Sequence, residues 1–333
     1  MKRKGLVNIL IFCFLFWSIG ECLNFVLVDD SKSYTRIMMH ELYEEEDIDI
    51  LFLGSSHCYR SFNSKLIDHE LGVNTFNAGS SSQGMDGSFA LLKEADKKRR
   101  IGKVYLEMYY NIAFLEENRN RTEMTPTYIL GDYMKPSINK LTFLIQASSS
   151  TCYMNSILPA RRYWDNLLKP SVMCKTAHIK LSDNYKMYDY SLCDSETEKY
   201  VGKGYVRTSQ KVVDNMYPDR EYLTDIQISG ISRDWLSALQ SIIKYCKKHN
   251  IELVLVSAPI SPYLIHRVNN YDEYYGFVSK IANDNEIPYY DFNLYKNDVF
   301  RDNCEMFMDQ DHLSAEGADA FSQMIVEIEE SES

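Results

Sequence analysis

A chain of 333 residues, 45% hydrophobic and 25% charged, is long enough to bury one large core or two smaller ones. Its formal net charge of −11 argues against nucleic-acid binding, which needs a broad basic face. The one dense basic run, Lys97-Lys98-Arg99-Arg100, reads as a solvated helix end beside a strand.

The first strong signal in chain order is N-terminal. Lys2-Arg3-Lys4 precede an apolar stretch over 6–28, interrupted by Asn8, Glu21 and Asn24. A bilayer core takes about 20 residues, and no small-x-small cleavage site follows, so residues 1–30 are expected to be a retained signal anchor. Cations before the stretch and Asp29-Asp30 after it orient the chain N-in, C-out, with everything beyond on the extracytoplasmic side of the cell membrane. Residues 31–46 read as a polar stalk or a short helix.

From residue 47 an α/β rhythm begins. Ile48-Asp49-Ile50-Leu51-Phe52-Leu53, stopped by Gly54, has the pattern of a buried parallel strand. A helix over 64–71, a strand over 73–76, a helix over 89–98 and a strand over 103–108 follow. The rhythm breaks over 111–230, where a helical segment over 140–168 is expected within an inserted cap, because a structureless loop of that length does not suit a compact domain. Regularity resumes with Ser232 capping a helix to 249, then a strand over 251–256, a helix over 271–282, a strand over 287–292 and a last helix from about 314. Five strands alternating with helices predict a three-layer α/β/α sandwich around a mostly parallel sheet.

The eight cysteines show no CxxC spacing, so neither a disulfide-stapled small domain nor a zinc ribbon is expected. Cys152, Cys174 and Cys193 could pair in an oxidising compartment or stay free; the sequence leaves both open.

Sites in such sheets form beyond the carboxyl ends of the strands, and three of those places carry suggestive residues. Gly54-Ser55-Ser56-His57 puts a hydroxyl on the tight turn after the first strand, where a serine can be a nucleophile or a helix cap. Asn77-Ala78-Gly79 follows the second and offers an unshielded backbone N–H suited to an oxyanion, or a plain βα turn. Asp309-Gln310-Asp311-His312 precedes the last helix, with Asp309 spaced to hold the His312 ring as a general base. The other histidines lack metal-ligand spacing, and there is neither a P-loop nor a GxGxxG, so no metal or nucleotide cofactor is expected.

In order and placement these three blocks resemble the SGNH (GDSL-like) hydrolase and acyltransferase superfamily, over 47–108 and 232–328. The resemblance implies a flavodoxin-like fold and gives the nucleophile position to Ser56, with His312 and Asp309 completing a triad. It implies an oxyanion hole from the Ser56 and Gly79 N–H groups and an amide after strand three. The family's glycine-x-asparagine-aspartate block is absent there; the region reads Leu106-Glu107-Met108-Tyr109-Tyr110-Asn111, with Asn111 as the candidate donor. The anchor and the Gly-Ser-Ser block are most similar to bacterial proteins of cell-surface polymer acylation, such as those of alginate acetylation and teichoic-acid D-alanylation. That likeness implies a serine O-acyltransferase or esterase on an extracellular glycan or cell-wall polymer, partnered by a membrane-bound acyltransferase. The competing expectation is a catalytically silent assembly component of such a machinery. A cap over 111–230 would recognise the acceptor, its tyrosines (among them Tyr128, Tyr133, Tyr185, Tyr188, Tyr190 and Tyr205) offering flat faces to sugar rings.

Overall fold

The computed structural model describes the backbone of residues 2–218, 221–295 and 298–332, and the side chains among these from 5 to 331. Its strands in chain order are β1 (Ile48–Leu53), β2 (Thr75–Asn77), β3 (Ile101–Glu107), β4 (Glu198–Gly202), β5 (Tyr205–Thr208), β6 (Glu252–Ser257) and β7 (Tyr289–Asp291). Five of them form one parallel sheet in the order β2-β1-β3-β6-β7, the doubly wound arrangement 2-1-3-4-5 when only these strands are numbered. The predicted α/β/α sandwich is therefore what the chain forms.

Successive strand residues point to opposite faces, and here both faces are buried, which is why the strands read as nearly unbroken apolar runs. Leu51, Leu53, Val104, Leu106, Leu253 and Leu255 pack on one side with helices Met85–Ala95, Arg233–His249 and Tyr271–Asp284. Ile50, Phe52, Tyr105, Val254 and Val256 pack on the other with Ser64–Leu71 and Ala315–Glu332. Ser232 caps its helix by accepting the Trp235 N–H, and Asn250 ends it in the left-handed conformation.

The structure departs from the sequence reading at three places. Of the two readings of residues 31–46, the short helix forms and the stalk does not: helix Tyr34–Glu44 buries Ile37, Met38, Met39 and Leu42 in the main core, because its few apolar residues share one face among the charges. The helix over 140–168 is broken into Ile138–Ala147, Tyr153–Ile157 and a 3₁₀ segment Pro159–Leu168, interrupted by the serine run after Ala147 and by Pro159. The antiparallel hairpin β4–β5 was not foreseen. Its turn lies against β2, with Asn77 N–H donating to Lys203 O at 3.0 Å. Gly204 has a φ of +77°, and a Cβ there would meet Asn77 O at 1.6 Å, so only glycine lets the hairpin dock.

Helix Lys2–Leu27 precedes this body, and its 23 residues Gly5–Leu27 are long and apolar enough to cross a membrane, as an anchor or a signal sequence is. All eight cysteines are free.

Candidate active site

The carboxyl end of β1 sets the geometry. Gly54 lies so close to β3 that a Cβ would sit 2.5 Å from the Glu107 Cβ, so the chain turns there without a side chain. Ser55 then caps helix Ser56–Ser61, its Oγ accepting the His57 N–H at 3.3 Å and donating to Glu107 Oε2 at 3.1 Å. Ser56 is left as the first helical residue, its N–H without an acceptor among the described residues.

The opposite wall is the turn before the last helix. Asp309 Oδ1 accepts the backbone N–H of Asp311 at 3.0 Å and of His312 at 2.8 Å, which fixes the turn. Both Asp309 oxygens lie 3.1 Å from His312 Nδ1, and His312 Nε2 lies 2.7 Å from Ser56 Oγ. A carboxylate only accepts, so in the neutral ring the proton sits on Nδ1 and Nε2 faces the serine hydroxyl as an acceptor. Ser56, His312 and Asp309 thus form one unbroken hydrogen-bonded chain joining two ends of the sequence.

Around it lies a set of residues that sequence reasoning missed. Asp311 Oδ1 is also 3.1 Å from His312 Nδ1, so two carboxylates share one ring proton. Asp311 further accepts from Tyr222 Oη at 2.8 Å, Tyr109 Oη at 3.1 Å and His57 Nε2 at 3.3 Å. The His57 ring stacks on Tyr109 at 3.7 Å between centroids. Burial lowers the His57 pKa despite its bond to Asp311, so this second histidine is neutral. Burial also opposes charge on Asp311, but the His312 charge and the His312 and His57 hydrogen bonds hold its acid well below the usual carboxylate range. For His312, burial works against the cation, yet Asp311 and Asp309 together lift the pKa to about 9. The sequence signals were an acid immediately before His312 and a histidine immediately after Ser56.

His57, Asp311 and His312 also offer three ligand atoms within 4.8 Å of one another. Both ring nitrogens and two tyrosine hydroxyls already converge on Asp311 as donors, an arrangement that satisfies the carboxylate and turns positive edges toward the centre.

Glu107, at the end of β3, is the buried acid beneath this turn, and burial, against hydrogen bonds from Ser55 and Tyr109, raises its pKa to about 8. The native state therefore keeps a proton that the unfolded chain loses above its ordinary value of 4.5. Stability contributed by this group is present below that value, falls by about 1.4 kcal/mol per pH unit as pH rises, and stops falling above the native pKa. Glu107→Gln mimics the protonated acid and can still accept from Ser55. It should unfold at higher denaturant than wild type at pH 8, with the difference vanishing toward pH 4; equal midpoints throughout would mean that Glu107 is ionised in the fold.

Ser56, His312 and Asn111 border one cavity of about 560 Å³, walled also by Arg60, Glu198 and Gln210. The Arg60 guanidinium is paired with Glu198 at 2.6 Å. Ser56 and Asn111 line the same cavity, whereas Gly79 does not: its N–H donates to Asn77 Oδ1 at 3.1 Å, because the Asn77 side chain folds back under helix Ser56–Ser61. Gly79 is corrected as an oxyanion donor for this state. The tyrosine expectation is corrected too. Tyr128 lies under Arg162, Tyr185 and Tyr188 flank Arg36, Tyr190 bonds Glu41, and Tyr205 is buried; the aromatic residues at the cavity are Tyr59 and Tyr109.

No protein-family model matches this chain, and no curated protein matches it. Among solved structures it is similar to a protein of Desulfitobacterium hafniense DCB-2 assigned to the lipolytic G-D-S-L family, at 9% identity and a TM-score of 0.39, covering 85% of this chain and 99% of that one.

Proposed function

We propose that the protein is a membrane-anchored serine O-acyltransferase or esterase working on a hydroxyl-rich extracellular polymer through an acyl-Ser56 intermediate. The observation that carries this reading is the Asp309–His312–Ser56 chain, with 2.7 Å between His312 Nε2 and Ser56 Oγ at the edge of an open cavity. In the mechanism, His312 takes the Ser56 proton as Oγ attacks an ester carbonyl, and Asp309 with Asp311 stabilises the imidazolium. The carbonyl oxygen becomes an oxyanion held by the Ser56 N–H and Asn111. His312 returns the proton to the leaving alcohol, and water or a sugar hydroxyl then takes the acyl group by the reverse sequence. Arg60, Glu198, Gln210 and the Ser81 and Ser82 hydroxyls suit a polar acceptor better than a long acyl chain. The end of the apolar helix supports retention of the segment: Leu27 is fully buried against the body beside Ala160, and cleavage after it would uncover that contact. The flanking charges, Lys2-Arg3-Lys4 before and Asp29-Asp30 after, support an extracytoplasmic domain.

A catalytically silent assembly component is the second reading, favoured by the engaged Gly79 N–H. A fluorophosphonate probe separates the two. The full-length protein in detergent is expected to label at Ser56 and nowhere else; a protein that stays unlabelled over the alkaline range sinks the acyl-serine mechanism.

A further inference from the structure

The insert makes contact with the apolar helix in a fixed order. Asn166 Nδ2 donates to Leu27 O at 3.2 Å, Ala160 N–H donates to Asn24 Oδ1 at 2.8 Å, and Leu158 Cδ1 lies against Gly20. Read backwards along the insert, these contacts descend the helix from its C-terminal end. Gly20 is seven residues before Leu27, about 10 Å along the axis at 1.5 Å per residue. The bilayer's hydrocarbon core, about 30 Å thick, uses about 20 residues of a helix, so a span that starts at Gly5 leaves the core near Asn24. Leu158 therefore sits at the depth where acyl chains meet headgroups.

The residues that lead into Leu158 are apolar and uncovered. Ile157 is 56% exposed and Met154 41%, on the short helix Tyr153–Ile157, with Ile157 beside Glu21 and Asn24 of the apolar helix. Tyr153 Oη donates to Ile145 O at 3.5 Å, which joins this helix to Ile138–Ala147. There Ile138, Leu141 and Ile145 recur at helical spacing and are 85%, 54% and 50% exposed, while Phe143, Leu144 and Ala147 fill the core behind them. A globular surface rarely leaves so continuous an apolar face uncovered.

We infer that this face, Ile138, Leu141, Ile145, Met154 and Ile157, is a foot that rests in the lipid interface beside the anchor. It lies in the interfacial plane as an amphipathic helix does, with Lys140 turned the other way toward Glu21 at the polar boundary. The foot fixes the tilt and rotation of the catalytic body, which one span alone leaves free. Its occupant is lipid because the face continues, through Leu158, the surface of a helix already sized to the bilayer. The inference rests on reading Gly5–Leu27 as a membrane span.

The test uses the full chain in phosphatidylethanolamine–phosphatidylglycerol nanodiscs containing a phospholipid with a diazirine in its acyl chain. After photolysis, peptide mass spectrometry should find lipid adducts on 138–157 as well as on 5–27. Replacing Leu141, Ile145 and Ile157 with lysine (L141K, I145K, I157K) should reduce the insert adducts several-fold and leave those on 5–27 unchanged. Adducts confined to 5–27 in the wild type overturn the foot while leaving the anchor standing. Adducts on neither segment remove the membrane reading itself, and the foot with it. An insert labelled in nanodiscs but shielded in native membranes assigns the face to a membrane protein and overturns lipid as its occupant.

Discussion

Ser56→Ala is expected to lower turnover of a small acetyl ester by at least about a thousand-fold, with the fold intact. Ser56 is partly buried on the first turn of its helix, and among the described residues its Oγ has one hydrogen-bond partner, His312 Nε2 at 2.7 Å, so removing the hydroxyl opens no cavity in the core. His312→Ala should cost a similar factor, because without the ring nothing takes the proton from Oγ. The two residues act as one unit, so the double variant should be no worse than either single one; additive losses would show that they do not share a step. The measurement is kcat/KM at pH 9, alongside circular dichroism to show that the domain is folded. Either variant turning over within an order of magnitude of wild type would sink the triad.

Asp311→Asn is expected to move the acid limb of the kcat/KM profile to lower pH by more than one unit. With the cavity empty of substrate, Asp311 and Asp309 raise the His312 pKa to about 9, so near neutrality the ring is mostly imidazolium and cannot accept the Ser56 proton. Activity should therefore rise through the neutral range and level off only near pH 9. After burial, which lowers the His312 pKa, Asp311 is the strongest influence and the leading one that raises it, so neutralising that side chain lets the ring titrate nearer its ordinary value of 6.5. Asp309→Asn should do more than shift the limb: Asp309 also raises the His312 pKa, and it holds the turn through two backbone N–H groups, so its loss should depress the plateau as well. Stability provides an independent readout. A histidine raised above its unfolded pKa stabilises fully below about 6.5, and that contribution is lost as pH rises through about 9. Wild type should lose this stability across that window, and Asp311→Asn should show little of the loss. An unmoved acid limb in Asp311→Asn would mean that Asp309 alone governs the ring.

The sheet was legible because its strands are buried on both faces. That burial leaves apolar runs such as 48–53 and 251–256, bounded by Gly54 and by Ser257-Ala258-Pro259, which no amphipathic helix would show. The helix from Ser232 was legible from its cap and its 3.6-residue stripe, both local properties. Helix Tyr34–Glu44 was legible only as an alternative to a stalk, because charged residues surround its apolar ones and only docking in the core reveals which face is buried. The hairpin was hidden in the same way: it is held by a contact between Gly204 and Asn77, residues far apart in the chain.

By itself the sequence determined the sheet, the position of Ser56 on the turn after β1, and the reach of Asp309 to His312, because a strand end and a three-residue spacing are local geometry. Only the tertiary structure decided that Ser56 and His312, 256 residues apart, meet at 2.7 Å. It also decided that Asp311 is a second carboxylate on the ring and that His57 and two tyrosines turn toward it. It gave the Gly79 N–H to Asn77, and it divided the insert between the cavity rim and the apolar helix. The reason is physical: a side chain's type and spacing are written in the chain, but its partner, its burial and hence its pKa depend on which distant segments the sheet brings together.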